Sequence, residues 1–468
     1  MNIYEKNYWS VYCDFLDDFA ELEYKGYHLA YLFHYDSLIR ENKQLIKSLH
    51  DPASHKNKLI DLSDIQQKFY MEKATIQRPL KKNDSGKILL HDVYDLLRFP
   101  NHIFYHYFDK HKTLIMQDTS SQKKGKQYLV DLKGYSIQNF NRYKRDLTEP
   151  IDKLKKRTQK ILSKYPNHLV YHDSTFRKRV LMQIATTVNR IEEAGNLFRK
   201  VPISTVIVPS THYPQSRTLV FVAAGYGIPT ICMQHGIISS EFGYIPKIAD
   251  IDAVYGPFEM DWYQKNGVNK DGLEIIGHPR FDMINQAPKE GQEEIKQNLG
   301  IDPTKKTILL IIRGQLLFKE WATFLDHLTI KDEVNVIIKD FKYKKGHPLL
   351  DTHSFVYASK GYHHYDLFSI SDLVVSYAST VALEAILAKK PVFILNESFP
   401  GHTDYYDKLG KLVQSDPKQL STLVSDFYKN EDLHLYTTKT VAEFLSKSYI
   451  HENPSGERLI HLINRLSK

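Results

Sequence analysis

Short apolar, β-branched runs, each followed by a polar turn and a stretch of helix-forming residues, recur along the second half of this 468-residue chain. The clearest case is Ser371 to Leu395, SDLVVSYASTVALEAILAKKPVFIL. Leu373 to Val375 predicts a strand, Tyr377 to Thr380 a turn of small and hydroxyl residues, and Val381 to Ala388 a helix. Pro391 ends that helix, and Val392 to Leu395 predicts a second buried strand. The run therefore predicts a βαβ unit, with Ser376 to Thr380 just beyond the C-terminal end of a strand, where open parallel sheets hold ligands. The free N–H groups of the helix's first turn suit a phosphate. Glu384 follows Thr380 by one helical turn on the same face, and it is predicted to bind ribose hydroxyls.

The same alternation starts at Ser204. TVIVPS predicts a strand, Gln215 to Tyr226 a helix, and PTICMQHG a strand ending in polar residues. Ile251 to Tyr255, a helix around Met260 to Lys265, and the strand Leu273 to Ile276 running into GHPRFD come next. From Pro288 to Lys306 the composition turns polar, which predicts a linker. A fresh series follows: strands at Thr307 to Ile312, Val334 to Lys339 and Phe355 to Tyr357, with helices at Trp321 to Leu328 and near Tyr365 to Ser371. Helices at Thr437 to Lys447 and Gly456 to Ser467 close the chain. Residues 1 to about 200 are less regular. Strands are predicted there at Leu29 to Phe33, Lys58 to Asp61, Ile88 to Leu90, Thr113 to Met116 and Tyr128 to Val130, with helices at Pro150 to Lys164 and Phe176 to Arg199. The pattern predicts an α/β fold of two Rossmann-like domains facing a central cleft. Its expected parts are residues 1–286, a linker at 287–306, a second domain at 307–435, and C-terminal helices at 436–468 that are candidates to pack back on the first domain.

With 42% hydrophobic and 25% charged residues, the composition is that of ordinary globular protein. Cys13 and Cys232 match no metal or disulfide spacing, which fits a reducing compartment. The N-terminus MNIYEKNYWSVYCDFLDDF has no basic segment followed by an apolar core, and no apolar run approaches the roughly 20 residues that span a bilayer. These features predict a cytoplasmic protein. The formal charge of +8 suits an anionic substrate, a phospholipid surface or nucleic acid. Lys123 to Lys126 and Lys342 to Lys345 read as solvated loops. The run KLKKRTQK within Pro150 to Lys164 reads as a solvated basic face, or as a contact for a negatively charged acceptor or the inner face of a membrane.

Three constellations carry candidate chemistry. Gln234-His235-Gly236 ends an apolar strand; histidine has the side-chain pKa closest to neutrality, which suits a general base, and Gly236 lets backbone approach a ligand closely. Gly277-His278-Pro279-Arg280-Phe281-Asp282 also follows a strand, with His278 and Arg280 able to donate to phosphate, while a plain domain-closing turn is the competing reading. Arg313 and Lys339 each end a predicted strand near the Ser379 and Thr380 turn, as a pyrophosphate clamp would require. No GxxxxGK[ST] loop, GxGxxG fingerprint, HExxH or cysteine metal site occurs. Asp250-Ile251-Asp252 has the DxD form that can hold a divalent metal beside a nucleotide diphosphate, but it starts a strand rather than ending one and reads as structural. No metal or resident cofactor is expected.

With these motifs in hand, the chain resembles the bacterial GT-B transferases of cell-surface polymer synthesis: the CDP-glycerol glycerophosphotransferases of teichoic acid assembly and the capsule or spore-coat polysaccharide synthesis proteins. MQHG (Met233 to Gly236), GHPRFD (Gly277 to Asp282) and SDLVVSYASTVALEAILAKKPV (Ser371 to Val392) carry the resemblance, which covers about Ser204 to Leu395. It implies an acceptor side in the N-terminal half and a nucleotide-activated donor mainly in the C-terminal half. It also implies His235 as the base, with His278, Pro279, Arg280, Ser379 and Thr380 around the donor. Three features depart from the glycerophosphotransferase pattern and its relatives: HGIISS replaces HGTPLK, SYAST replaces a DYSS-type turn, and Lys339 is followed by Asp340-Phe341 where the relatives have Lys-x-His-Pro. CDP-glycerol and a nucleotide sugar therefore both stand as donors.

The expected function is metal-independent transfer of a glycosyl or glycerophosphate group from a nucleotide-linked donor to a polysaccharide, lipid-linked or teichoic-acid-like acceptor. A nucleotide-sugar epimerase or hydrolase on the same fold is the alternative within enzymes. A catalytically silent scaffold subunit is the alternative outside them. The modest charge and the lack of any recognised module argue against nucleic acid.

Overall fold

The computed structural model describes residues 1–52, 61–118, 132–284, 286, 290–342, 346–397, 399–449 and 454–468. The strand expected at Tyr128 to Val130, the cluster Lys123 to Lys126, most of Lys58 to Asp61 and all but the first residue of Lys342 to Lys345 lie outside the described residues. The chain divides into two compact units: Met1–His235, Ser240–Arg280 and His451–Lys468 form one, and Gly236–Ser239 with Phe281–Ile450 the other.

The first unit is built on a seven-stranded sheet. Its strands are β3 (Lys87–Asp92), β4 (Thr113–Gln117), β5 (Ser136–Asn139), β6 (Ile203–Val208), β7 (Thr230–Met233), β8 (Ile251–Val254) and β9 (Leu273–Ile275), all parallel, in the order β5-β4-β3-β6-β7-β8-β9. Burial on both faces explains why the central strands read as unbroken apolar runs. The long helix Ser174–Lys200 is capped by the Asp173 side chain on the Phe176 N–H and buries Phe176, Val180, Ile184 and Val188. The helix Pro214–Tyr226 starts with proline, whose missing N–H costs nothing there, and stops at Gly227. Gly227 has φ +71°, and a Cβ at that position would lie 2.4 Å from the Pro79 carbonyl oxygen, so both backbone and space demand glycine. The last helix, Ser455–Ser467, places Leu459, Leu462 and Ile463 in one core cluster with Leu90, Ile115 and Ile207 of the sheet.

One expectation for this region needs correction. Leu29 to Phe33 is not a strand: Leu29–Leu32 is a helical turn, entered from a small hairpin of β1 (Glu23–Tyr24) and β2 (Tyr27–His28). Leu29, Ala30 and Leu32 are all buried, and a short apolar run that is buried all round carries no period to separate helix from strand. Asp61, the one described residue of the stretch Lys58 to Asp61, caps the helix Leu62–Ile76 in a reciprocal capping box with Asp64.

The second unit has a six-stranded parallel sheet of β10 (Lys306–Ile312), β11 (Val334–Asp340), β12 (Val356–Ala358), β13 (Leu373–Tyr377), β14 (Val392–Leu395) and β15 (Val413–Gln414), in the order β12-β11-β10-β13-β14-β15. The predicted βαβ unit is present: the helix Thr380–Leu387 joins β13 to β14, and Val374 pairs with Val392. Ile308 to Ile312 are fully buried, and each such side chain contributes about 1.5–3 kcal/mol by leaving water. In both sheets the chain builds three strands outward to one side and then returns to build the other. The crevice at the C-terminal ends therefore opens between β3 and β6 in one sheet and between β10 and β13 in the other. No helix among the described residues is long and apolar enough to cross a membrane.

Candidate functional site

In the second unit, Arg313 follows β10 and Ser379-Thr380 follow β13, on the two sides of the crevice. Ser379 is extended at φ −143° and caps the helix Thr380–Leu387, its Oγ accepting from the Ala382 N–H at 3.4 Å. Its hydroxyl lies 3.2 Å from the Ser376 Oγ, and the Tyr406 hydroxyl donates to its carbonyl at 2.6 Å. The turn is thus fixed from three directions before any ligand arrives. Tyr377, the last residue of β13, brings its phenol oxygen within hydrogen-bonding reach of the Arg313 guanidinium and the Ser379 hydroxyl. Burial raises the pKa of this phenol, with Arg313 working against the shift, so it is a neutral donor at physiological pH. Arg313 itself is exposed. The Thr380 Oγ1 accepts from the Ile237 N–H at 3.1 Å, and Thr403 donates to the Ser239 and Ile238 carbonyls, so Gly236–Ser239 is stitched into this unit directly after His235.

Glu384 lies one turn into the same helix, 3% exposed, and its Oε2 accepts from His364 Nε2 at 2.9 Å. His364 begins the helix His364–Ile370, and its Nδ1 is buried with no partner among the described residues. Lys339, predicted as half of a phosphate clamp with Arg313, is directed elsewhere: its ammonium donates to the Tyr362 carbonyl and stands 5.8 Å from the Phe341 ring centroid. Burial lowers its pKa, and the charge of Asp366 partly offsets this. The structure thus gathers Arg313, Ser379 and Thr380 around one turn, with Glu384 a turn behind. It records no contact from Lys339 to that turn.

In the first unit, Gln234 and His235 follow β7. Gln234 is a buried clamp: its amide donates to Glu259 Oε1 at 3.0 Å and its carbonyl oxygen accepts from the Tyr255 N–H at 3.0 Å. These bonds hold the strand end still. His235 is half-buried, stacks on Tyr244 with ring centroids 5.4 Å apart at 13°, and donates from its ring to the Pro209 carbonyl. Burial, then the charges of Arg98 and Arg280, push its pKa down to about 4. The imidazole is therefore neutral at physiological pH, with one nitrogen committed to Pro209 and a lone pair on the other, as a base requires.

His278 is fully buried and held neutral first by burial and then by Arg280 and Arg98. Its Nδ1 accepts from the Arg280 N–H at 3.2 Å. Arg280 is 8% exposed, so its charge acts at short range inside the unit. Arg98, Tyr244, Tyr377 and His364 escaped the sequence reading. Arg98 ends a loop in which Tyr94, Asp95 and Arg98 all take positive φ, between +51° and +55°. Such strain concentrates at functional sites, but its residue types give no signal in the sequence. Asp250 is structural: one carboxylate oxygen meets the Lys73 ammonium at 2.6 Å and the other accepts from the Thr230 hydroxyl at 2.7 Å. Asp252 faces Tyr263 at 3.5 Å. No cluster of His, Cys, Asp or Glu that could hold a metal ion is found among the described residues.

Two all-parallel α/β sheets of this order, each with a crevice at its own reversal point, define a GT-B-type fold. The family model described as lipid-A-disaccharide synthetase matches residues 242–397, a span that includes the His278-Arg280 and Ser379-Thr380 segments. A crystal structure of UDP-N-acetylglucosamine 2-epimerase superposes with a TM-score of 0.53 at 12% identity, covering 82% of this chain and 95% of that one. The UDP-GlcNAc 2-epimerase from Neisseria meningitidis bound to UDP-GlcNAc gives 0.53 at 12% identity, covering 81% and 96%. The wall teichoic acid polymerase TagF gives 0.47 at 13% identity, covering 86% and 93%. No curated protein sequence matches the chain.

Proposed function

We propose that the chain is a transferase moving a glycosyl or glycerophosphate group from a nucleotide-activated donor to a cell-surface polysaccharide or teichoic-acid-like acceptor. One observation carries this reading: a serine-capped helix start, Ser379-Thr380, at the reversal point of a Rossmann sheet with Arg313 and Tyr377 beside it. Helix N–H groups, a fixed hydroxyl turn and a guanidinium are the groups that bind a nucleotide diphosphate. The match to the lipid-A-disaccharide synthetase model across residues 242–397 supports a glycosyl donor.

In the proposed step, neutral His235 takes the proton of the acceptor hydroxyl as its oxygen attacks the transferred group. The bond to the leaving phosphate breaks, and its electron pair departs with the nucleotide. Arg313 and the N-terminus of the helix Thr380–Leu387 stabilise the charge that develops there. His278 and Arg280 belong to the proposed donor set, and Glu384 to the ribose, reached through His364; Lys339, held by the Tyr362 carbonyl, takes no part in the step. No metal is assigned to the step. The acceptor is a polysaccharide or lipid-linked chain, and a peripheral membrane location follows from a lipid-linked one.

Thermal unfolding with CDP-glycerol and with CDP-, UDP-, GDP- and CMP-linked sugars tests the reading. A true donor at 100 times its Kd adds about 2.7 kcal/mol of stability. A shift with one donor, followed by label appearing in polymer, supports transfer. Epimerised or hydrolysed donor without transfer would replace it with the other chemistry, and no shift with any nucleotide would refute it.

A further inference from the structure

The helix Thr148–Ser163 turns Ile151, Leu154, Thr158, Ile161 and Leu162 inward and leaves Lys153, Lys156, Arg157 and Lys160 exposed, with Lys164 just past its end. Spacings of three, one, three and four residues place these five cations on one face. At 1.5 Å per residue they extend over about 16 Å. With Glu21 and Ile161 they line an open groove of about 510 Å³. Lys153 is paired with Glu149 at 2.5 Å and Lys164 with Glu21 at 3.1 Å. Lys156, Arg157 and Lys160, between those pairs, have no carboxylate partner among the described residues. Like charges three and four residues apart oppose the helix that carries them. The helix macrodipole favours cations only in the last turn and so accounts for Lys160 and Lys164, not for Lys156 and Arg157.

We infer that this groove binds a linear, base-free polyanion: a strand bearing phosphodiester or carboxylate groups that lies along the helix, outside the donor site. Charge complementarity and shape select this occupant. A bilayer surface fits a flat or convex face, and interfacial helices direct large apolar side chains toward lipid; here the apolar stripe is consumed by the protein interior, and none of the exposed large hydrophobic residues lies on this helix. A nucleic-acid strand is held by stacking its bases on aromatic rings, and no aromatic residue among the described residues lines the groove. The inference rests on the proposed transferase in one respect, that the anionic strand is its acceptor polymer, and it gives that acceptor a negative charge and a place to bind beyond its reacting end.

The test is fluorescence polarisation of end-labelled linear polyphosphate with the full-length chain and with Lys156→Glu/Arg157→Glu/Lys160→Glu. All three residues are exposed, and a melting curve confirms that the variant is folded. The wild type is expected to bind with an affinity that falls log-linearly with salt, and the variant at least tenfold more weakly at the same salt. Phosphatidylglycerol vesicles and a single-stranded RNA of equal charge are expected to compete less well than unlabelled polyphosphate. Equal binding by a folded variant overturns the site; better competition by vesicles or RNA overturns the occupant. Failure of the groove with nucleotide-donor stabilisation intact counts against this inference alone. Polyphosphate binding by a chain that no nucleotide stabilises counts against the transferase alone.

Discussion

His364 Nε2 and Glu384 Oε2 lie 2.9 Å apart, and both residues are buried. The imidazole donates from Nε2 to the carboxylate, and its Nδ1 is buried with no partner among the described residues. Glu384 is then a positioning residue for His364 as well as a candidate for the ribose. Glu384→Ala is expected to leave the buried imidazole unsupported, lowering stability by about 1–3 kcal/mol, and to weaken nucleotide binding. His364→Ala should weaken nucleotide binding by a similar factor. Isothermal titration of the stabilising donor measures both, and full affinity in His364→Ala would remove His364 from the site.

The Thr380 hydroxyl has a structural duty besides the one proposed for it, because it accepts from the Ile237 N–H at 3.1 Å. Thr380→Val keeps the shape and strands that N–H. The expected cost is about 1–3 kcal/mol of stability, together with weaker donor binding. Thr380→Ser retains the acceptor and should recover most of both. Chemical denaturation and donor titration of the pair separate the two effects.

The second unit was legible because parallel strands covered on both faces must be apolar at every position; TILLII, LVV and VFIL announce themselves. The first unit hid where this condition relaxes. Its edge strand Ser136–Asn139, SIQN, is only half-buried, so it presents polar residues and no period. The short edge strand Val413–Gln414 escaped for the same reason. The candidates His235 and Arg280 stood out in the sequence because each follows an apolar strand within a compact motif. Arg98 was not, because its place depends on positive φ at residues that ordinarily avoid it. The pull of Lys339 toward Tyr362 was equally hidden, since a strand end fixes where a side chain starts but not where it goes.

The helix Ser455–Ser467 lies far along the chain from the sheet it covers, yet Leu459 and Leu462 are fully buried against it. Leu462→Ala should leave a cavity and cost about 2–5 kcal/mol. The same substitution at exposed Leu435, 70% accessible, should change stability little. Urea unfolding of the two variants checks this. Equal effects would mean that the last helix contributes no core.

The pH dependence of transfer follows from the surroundings of His235. Burial, Arg98 and Arg280 all disfavour the imidazolium, placing the pKa at about 4 against an ordinary 6.5. The base is neutral above that value, so kcat/KM should be flat from neutrality down to about pH 5 and fall tenfold per unit only below about pH 4. An unperturbed histidine would begin to lose activity near 6.5. Removing one of the cations must move the limb upward. Arg98 sits at φ +51°, and asparagine tolerates that left-handed conformation better than most residues. Arg98→Asn should therefore keep the loop while raising the acid limb toward 6.5, whereas Arg98→Lys should leave it in place. His235→Gln should abolish the limb along with most of the transfer rate and leave donor stabilisation unchanged. A limb that stays fixed in Arg98→Asn would place the titrating base at a residue other than His235.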